Sequence, residues 1–452
     1  MNRSLLALGA LLVSLAAPRS AHAFCGFYVG KAGAELYNEA SKVVLVRDAN
    51  RTVLTMSADY KGSLEDFALV VPVPTLITRE QIHIGDPKLI QRIDNYSAPR
   101  LVKYMDPDPC NVRRYENRAG GAPAAAPMKQ ERRLSDAASE ALGVKVEAEY
   151  TVGEYDIVIL SAKQSDGLET WLRQSGYQIP DRAEAALRPY IKQGMKFFVA
   201  KVNLKAQKET GFSYLRPIQI AYESEKFMLP IRLGMANAHG TQDLLVFTLT
   251  KHGRVESTNY RTVKMPTDSD VPMFVKDEFG KFYKAVFDKA YKAHDRRAVF
   301  TEYTWNASWC DPCADTPLTQ DELRGLGVFW LGGDASRPAY RTSYGGGSGQ
   351  PMITRLHVRY DAEHFPEDLV FQETGDQQNY QARYILHVPF TGNLECPAGQ
   401  QYKQQLQTRH QHEADTLAQL TGWSHQKILD SMGADAPGKS AAEEPWYKGL
   451  WK

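Results

Sequence analysis

Trp309-Cys310-Asp311-Pro312-Cys313 is the stretch of this chain whose residue types and spacing could do chemistry. Two cysteines separated by two residues can cycle between dithiol and disulfide. The first becomes a good nucleophile where a helix N-terminus or a cation lowers its pKa. The same spacing is half of a structural zinc site, which then needs a second pair of ligands.

The surrounding elements favour neither use. Ala314-Asp315-Thr316-Pro317 follows the pair, and the stronger helix start is Thr319 with Glu322 three residues on, a capping box. Cys310 and Cys313 are therefore expected in a loop with no helix dipole on Cys310. The motif resembles the active site of the thioredoxin superfamily, with Trp before the first Cys and Pro before the second. That resemblance implies Cys310 as the attacking thiol and Cys313 as the resolving one, but the order of elements lacks the βαβ context. For zinc, Cys396-Pro397-Ala398-Gly399 has no partner cysteine, and His410 and His412 point to different sides of a predicted helix. The expectation is a structural Cys310–Cys313 disulfide, with a redox-active pair as the alternative. The chain has five cysteines, so this pairing leaves one thiol over among Cys25, Cys110 and Cys396, and the spacing does not settle their connectivity.

Other templates fail on inspection. Gly345-Gly346-Gly347-Ser348-Gly349-Gln350 departs from a nucleophile elbow at Gln350 and reads as a flexible loop. Asp268 and Asp270 lie in a Pro-bounded turn. Trp171 and Trp330 fall at core spacing. No phosphate-binding loop, zinc-protease helix or calcium loop is recognisable, so no catalytic residue, cofactor or metal is assigned.

The N-terminus fixes an expected compartment. Met1 to Ala23 reads as a secretory signal peptide: Arg3 precedes an apolar run from Leu5 to Ala17, and Ala21-His22-Ala23 is a small-residue cleavage site before Phe24. The run is shorter than the ~20 residues a bilayer core requires. Phe24 stands before Cys25 where lipidation wants a small residue, and no twin arginine precedes the run. An extracytoplasmic address, periplasmic or secreted, makes disulfides permissible. With 54 basic and 53 acidic residues the chain carries a formal charge of +1, a balance that gives no field for nucleic acid. No later apolar stretch approaches bilayer length.

The elements that position these residues are mainly β. Val43 to Arg47 and Thr52 to Ala58 flank the hairpin signal Asp48-Ala49-Asn50-Arg51, and Phe67 to Val73 is a third strand. A short helix spans 87–96. Asn117 to Arg133, an Ala/Pro/Gly stretch flanked by charge, reads as a linker or exposed loop. Beyond it, Val144 to Tyr150 and Tyr155 to Ser161 form a second hairpin, and helical faces follow around Leu168 to Leu172 and Ala183 to Ile191. Strands then come at 195–204, 215–222, 228–233, 244–250 and 260–264. An amphipathic helix carries Phe279, Phe282, Val286 and Phe287, and a strand runs over 297–305. A strand pair near Ile353 to Tyr360 and Gln381 to Val388 and a long polar helix from about Gln400 to Met432 close the body. The expected fold is α+β: mainly antiparallel β-sheets with packed helices and a long C-terminal helix. The expected segments are a signal peptide (1–23), a β-rich part (24–112), a linker (113–140), a central α+β domain (141–310), a C-terminal part (311–432) and a polar tail (433–452).

Phe24-Cys25-Gly26-Phe27-Tyr28, the segment VGEYDIVILSAKQSDGLETWLRQSGYQIP at 152–180, the Cys310-Asp311-Pro312-Cys313 loop and HEADTLAQLTGW at 412–423 together resemble the bacterial domain of unknown function 2330 family. The resemblance implies an exported bacterial protein without an assigned activity, and it supplies no catalytic residues. The functional expectation is a binding or interaction module of the cell envelope, facing a protein or an envelope glycan and no nucleic acid. The alternative is a thiol-disulfide oxidoreductase using Cys310 and Cys313.

Overall fold

The computed structural model describes residues 27–30, 37–38, 41–57, 60–61, 67–111, 144–162, 165–175, 183–203, 205–207, 215–236, 240–312, 314, 316–331 and 349–438. The signal segment, Cys25, the 117–133 stretch, Cys313 and residues 345–348 of the glycine run lie outside the described residues.

Two sheets stack face to face. The first runs in the order Phe27–Gly30, Phe67–Val73, Lys196–Val202, Tyr155–Ala162, Val144–Val152, antiparallel throughout. Pro72 lacks an N–H; it lies opposite Phe197 in the pairing with Lys196–Val202 and outside the described pairing with Phe27–Gly30. The second sheet runs Arg261–Lys264, Ala298–Asn306, Met352–Tyr360, Gln242–Thr250, Ser41–Asp48, Arg51–Ser57, Ile218–Glu223, Ile82–Ile84. Two of its joins are parallel, Gln242–Thr250 with Ser41–Asp48 and Arg261–Lys264 with Ala298–Asn306. Both sheets draw strands from either side of the linker expected at 113–140.

Strand alternation explains the layering. Val43, Leu45, Leu54 and Met56 meet Leu69, Val71, Ile157, Ile159, Phe198 and Ala200 between the sheets. Val44, Val46, Phe247 and Leu249 face outward into a second core under the helices Pro87–Ser97 and Gln320–Gly325. Burial on both faces is why Val43 to Val46 reads as an unbroken apolar run. Ser165–Gln174 and Ala183–Lys192 cover the outer face of the first sheet through Leu168, Leu172, Leu187 and Tyr190. Phe279–Ala293 and the C-terminal helices cover the rest of the second. The result is a four-layer helix/sheet/sheet/helix arrangement, the α+β class expected from the sequence. Asp368, only 2 % exposed, fastens the layers. It accepts hydrogen bonds from the Tyr190 hydroxyl (2.5 Å), the Ile231 N–H (3.0 Å) and the Arg232 guanidinium (2.6 Å).

Local signals hold where they are chemically specific. The Thr319 and Glu322 side chains cap each other's backbone as a capping box should. In the second hairpin Gly153 takes φ +58° at the turn, a conformation that costs glycine nothing. Two expectations are corrected. Met352–Tyr360 and Arg383–Val388 are not partners: the former lies between Gln242–Thr250 and Ala298–Asn306, and the latter pairs in parallel with Arg100–Met105. The long helix is two helices, Pro397–Thr421 and His425–Met432. Gly422 at φ +74° returns its N–H to the Ala418 carbonyl, and the Ser424 hydroxyl caps the new helix at Lys427.

Candidate functional site

The densest assembly of chemically capable side chains is built on Met352–Tyr360. Its alternation puts Leu356, Val358 and Tyr360 into the core between the sheets and Arg355, His357 and Arg359 on the opposite face, under Phe279–Ala293. The neighbouring strand pairs Thr301 with Leu356 and Tyr303 with Arg355, so Glu302 is the extra residue of a β-bulge. Bulges re-aim a side chain. Here the bulge delivers Glu302, 1 % exposed, to the charged face.

Glu302 accepts from the Arg355 Nε (2.6 Å), the Tyr283 hydroxyl (2.6 Å) and the His357 Nδ1 (2.8 Å). The other ring nitrogen, Nε2, lies 3.1 Å from Asp243 Oδ1. Ionised carboxylates only accept, so both nitrogens must donate and His357 is held as the imidazolium. Burial alone pushes His357 down, yet the charge of Glu302 and the hydrogen bonds to both carboxylates outweigh it and raise the imidazole to about 8. Burial pushes Glu302 up, and the charges of His357 and Arg355 overcome it and hold the carboxyl at about 2. Arg359 reaches Asp243 (2.8 Å) and Asp288 (2.5 Å), while Arg355 reaches Asp94 (2.6 Å), which also takes Lys42 (2.9 Å). The Phe287 ring stacks on the imidazole at 3.8 Å.

This arrangement binds elements together: it joins three strands and two helices through paired charges. A general base works best near the operating pH, and a carboxylate saturated with three donors and held near 2 is not poised to take one. Sequence reasoning found both strands and missed the network. The available signal was Arg-x-His-x-Arg alternating with Leu356, Val358 and Tyr360, which all take one face.

Cys110 and Cys396 form a disulfide across 286 residues, a pairing the sequence left open. Cys310 is exposed with a free thiol, in a loop anchored by the buried Asp311, whose carboxylate accepts from Tyr303 (3.2 Å) and Gln381 (3.0 Å). Its expected partner Cys313 is outside the described residues. His410 is buried in the long helix and His412 is exposed, so the two do diverge. Nearby, burial raises Glu413 to about 7, with Arg409 only partly offsetting it. Asp106 accepts from Tyr402 (2.5 Å) and Arg409 (2.7 Å), clasping the helix to the end of Arg100–Met105. Asp268, at φ +52°, pairs with Arg383, and Asp270 with His387. Among the described residues no group of three or more His, Cys, Asp or Glu side chains is placed to hold a metal ion, and no helix is long and apolar enough to cross a membrane.

A cleft of about 320 Å³ opens where strands from the two sheets meet. Pro72, Pro74 and Thr75 line one side, Gln193 and Met195 another, and Tyr222 through Lys226 with Met228 and Pro230 a third. Its floor is apolar, with Pro72, Met195, Tyr222 and Pro230 buried, whereas Glu223, Glu225 and Lys226 are exposed at the rim. Arg47 fixes the rim backbone by donating to the Ser224 carbonyl (2.8 Å) and the Glu225 carbonyl (3.2 Å).

A family model described as an uncharacterised protein conserved in bacteria, DUF2330, matches residues 19–372. The match includes the 152–180 segment and the cysteine loop, and it ends before the 412–423 stretch. No curated protein and no solved structure matches. The chain belongs to the DUF2330 family.

Proposed function

We propose that this DUF2330 member is an exported binding module of the bacterial cell envelope, whose ligand site is the cleft between the two sheets. The observation that carries the reading is the composition of that cleft: an apolar floor of proline, methionine and tyrosine edged by carboxylates, an amide, a hydroxyl and an ammonium group. Small-ligand sites combine apolar contact with a few fixed polar groups in this way. The C–H faces of a sugar ring or a short peptide suit the floor, and hydroxyl and acetamido groups suit the rim. An envelope glycan fragment is the occupant we favour.

Export is supported by the signal-like segment 1–23 and by the Cys110–Cys396 disulfide, which suits an oxidising compartment. Sequencing the N-terminus of the protein from the envelope fraction tests it: Phe24 is the expected first residue, and an intact Met1 in the cytosol contradicts export. Binding is tested by isothermal titration against muropeptides, oligosaccharides and short peptides, with Thr75→Trp filling the cleft from an exposed position. Binding that weakens at least ten-fold in the folded variant is expected. Absence of binding, or binding indifferent to Thr75→Trp, overturns the reading.

A second reading, a thiol-disulfide oxidoreductase using Cys310 and Cys313, draws on the exposed free thiol of Cys310. Turnover in an insulin-reduction assay that disappears in Cys310→Ser would favour it.

A further inference from the structure

We infer that the Cys110–Cys396 disulfide is a site of thiol exchange with a built-in direction: an incoming thiol attacks Cys110, and Cys396 leaves. The two sulfurs sit in opposite electrostatic settings. Cys396 is the N-cap of the 25-residue helix Pro397–Thr421, and its Sγ accepts a hydrogen bond from the Gly399 N–H at 3.1 Å. A helix N-terminus stabilises negative charge, so a thiolate at this position is the better leaving group. Cys110 is exposed, and its own N–H is bound at 2.8 Å by the Asp108 carboxylate, a negative charge that disfavours a thiolate there. Glu395 precedes Cys396 but is itself exposed to water, where its charge is screened. Exchange is faster when the departing sulfur is the more acidic one and the attacked sulfur is accessible, and the geometry supplies both.

The reaction balances with a dithiol as the reductant. Its thiolate adds to Cys110 Sγ, the S–S bond breaks, and the electron pair departs onto Cys396 Sγ, where the Gly399 N–H holds it. The second thiolate of the dithiol then attacks its own sulfur in the mixed disulfide and releases Cys110 as a thiolate that takes up a proton. The protein ends with two thiols and the dithiol ends as a disulfide. Reduction removes the covalent tie between Cys110 and the start of the long helix, while Asp106 keeps its contacts to Tyr402 and Arg409. The partner this site fits is a dithiol of the envelope, and the inference stands independently of what the cleft binds.

The test uses the wild-type protein. Free thiols are blocked with N-ethylmaleimide under native conditions, glutathione is added at neutral pH, the reaction is quenched in acid, and the products are mapped by mass spectrometry. Glutathione on Cys110, with Cys396 as the free thiol, is expected in at least ten-fold excess over the reverse. Adducts on Cys396, an even distribution, or no reaction under conditions that fully reduce an unstructured peptide disulfide would overturn the inference. As a second readout, Cys396 in Cys110→Ser should reach half-maximal alkylation by iodoacetamide at least one pH unit below Cys110 in Cys396→Ser. Equal midpoints in two folded variants would refute the proposed polarity.

Discussion

Raising the pH should unfasten the ion network at His357. The folded protein holds this imidazole at about 8 against an ordinary 6.5, so it keeps a proton that the unfolded chain has released. A raised pKa gives stability that is fully present below pH 6.5 and is lost as the pH climbs through 8. The difference of about 1.5 units is worth about 2 kcal/mol at about 1.4 kcal/mol per unit. The assay is urea unfolding followed by far-UV circular dichroism at intervals from pH 6 to 9, comparing wild type with His357→Gln. Glutamine cannot serve both Glu302 and Asp243 as a cation, so the variant should be less stable by about 3–5 kcal/mol at pH 6, the range for breaking a buried ion pair. Its stability should fall with pH by about 2 kcal/mol less than that of wild type, the share carried by His357. Parallel curves for the two proteins would refute the imidazolium assignment.

Glu302→Gln should cost about 3–5 kcal/mol, because it leaves Arg355 and His357 buried without their shared anion. The alkaline stability loss should also move to lower pH, since His357 then gives up its proton more easily; calorimetric melts across pH would show both. Asp368→Asn should cost about 2–3 kcal/mol, as hydrogen bonds to charged groups contribute about 1.5–3 kcal/mol. Hydrogen exchange should speed up first in Ala183–Lys192, which Tyr190 ties to Asp368. Gly422→Ala should cost about 1 kcal/mol through the left-handed conformation at the helix end, read as a lower melting temperature.

Local chemistry was legible in the sequence, and long-range pairing was not. The hairpin turns at Ala49-Asn50 and Gly153-Glu154, the Thr319 cap and the amphipathic face of Phe279–Ala293 all depend on residues within a few positions of one another. The parallel join of Ser41–Asp48 to Gln242–Thr250 depends on which buried faces meet, and alternation alone is blind to that. The Gly422 break carried visible stop and start signals, Gly then Ser, inside the helix expected over 400–432. Glu302 was hidden because a bulge depends on the partner strand: within its own strand it is one polar residue among alternating ones. The Cys110–Cys396 pairing joins segments with no local relation, so spacing could not reveal it.

Hydrogen exchange of the mature protein with and without a digest of envelope glycan tests the binding account most directly. The account predicts slowed exchange confined to residues 72–75, 193–195 and 222–230, lost in Thr75→Trp. Unchanged exchange along the cleft, or protection elsewhere with the cleft unaffected, would contradict it.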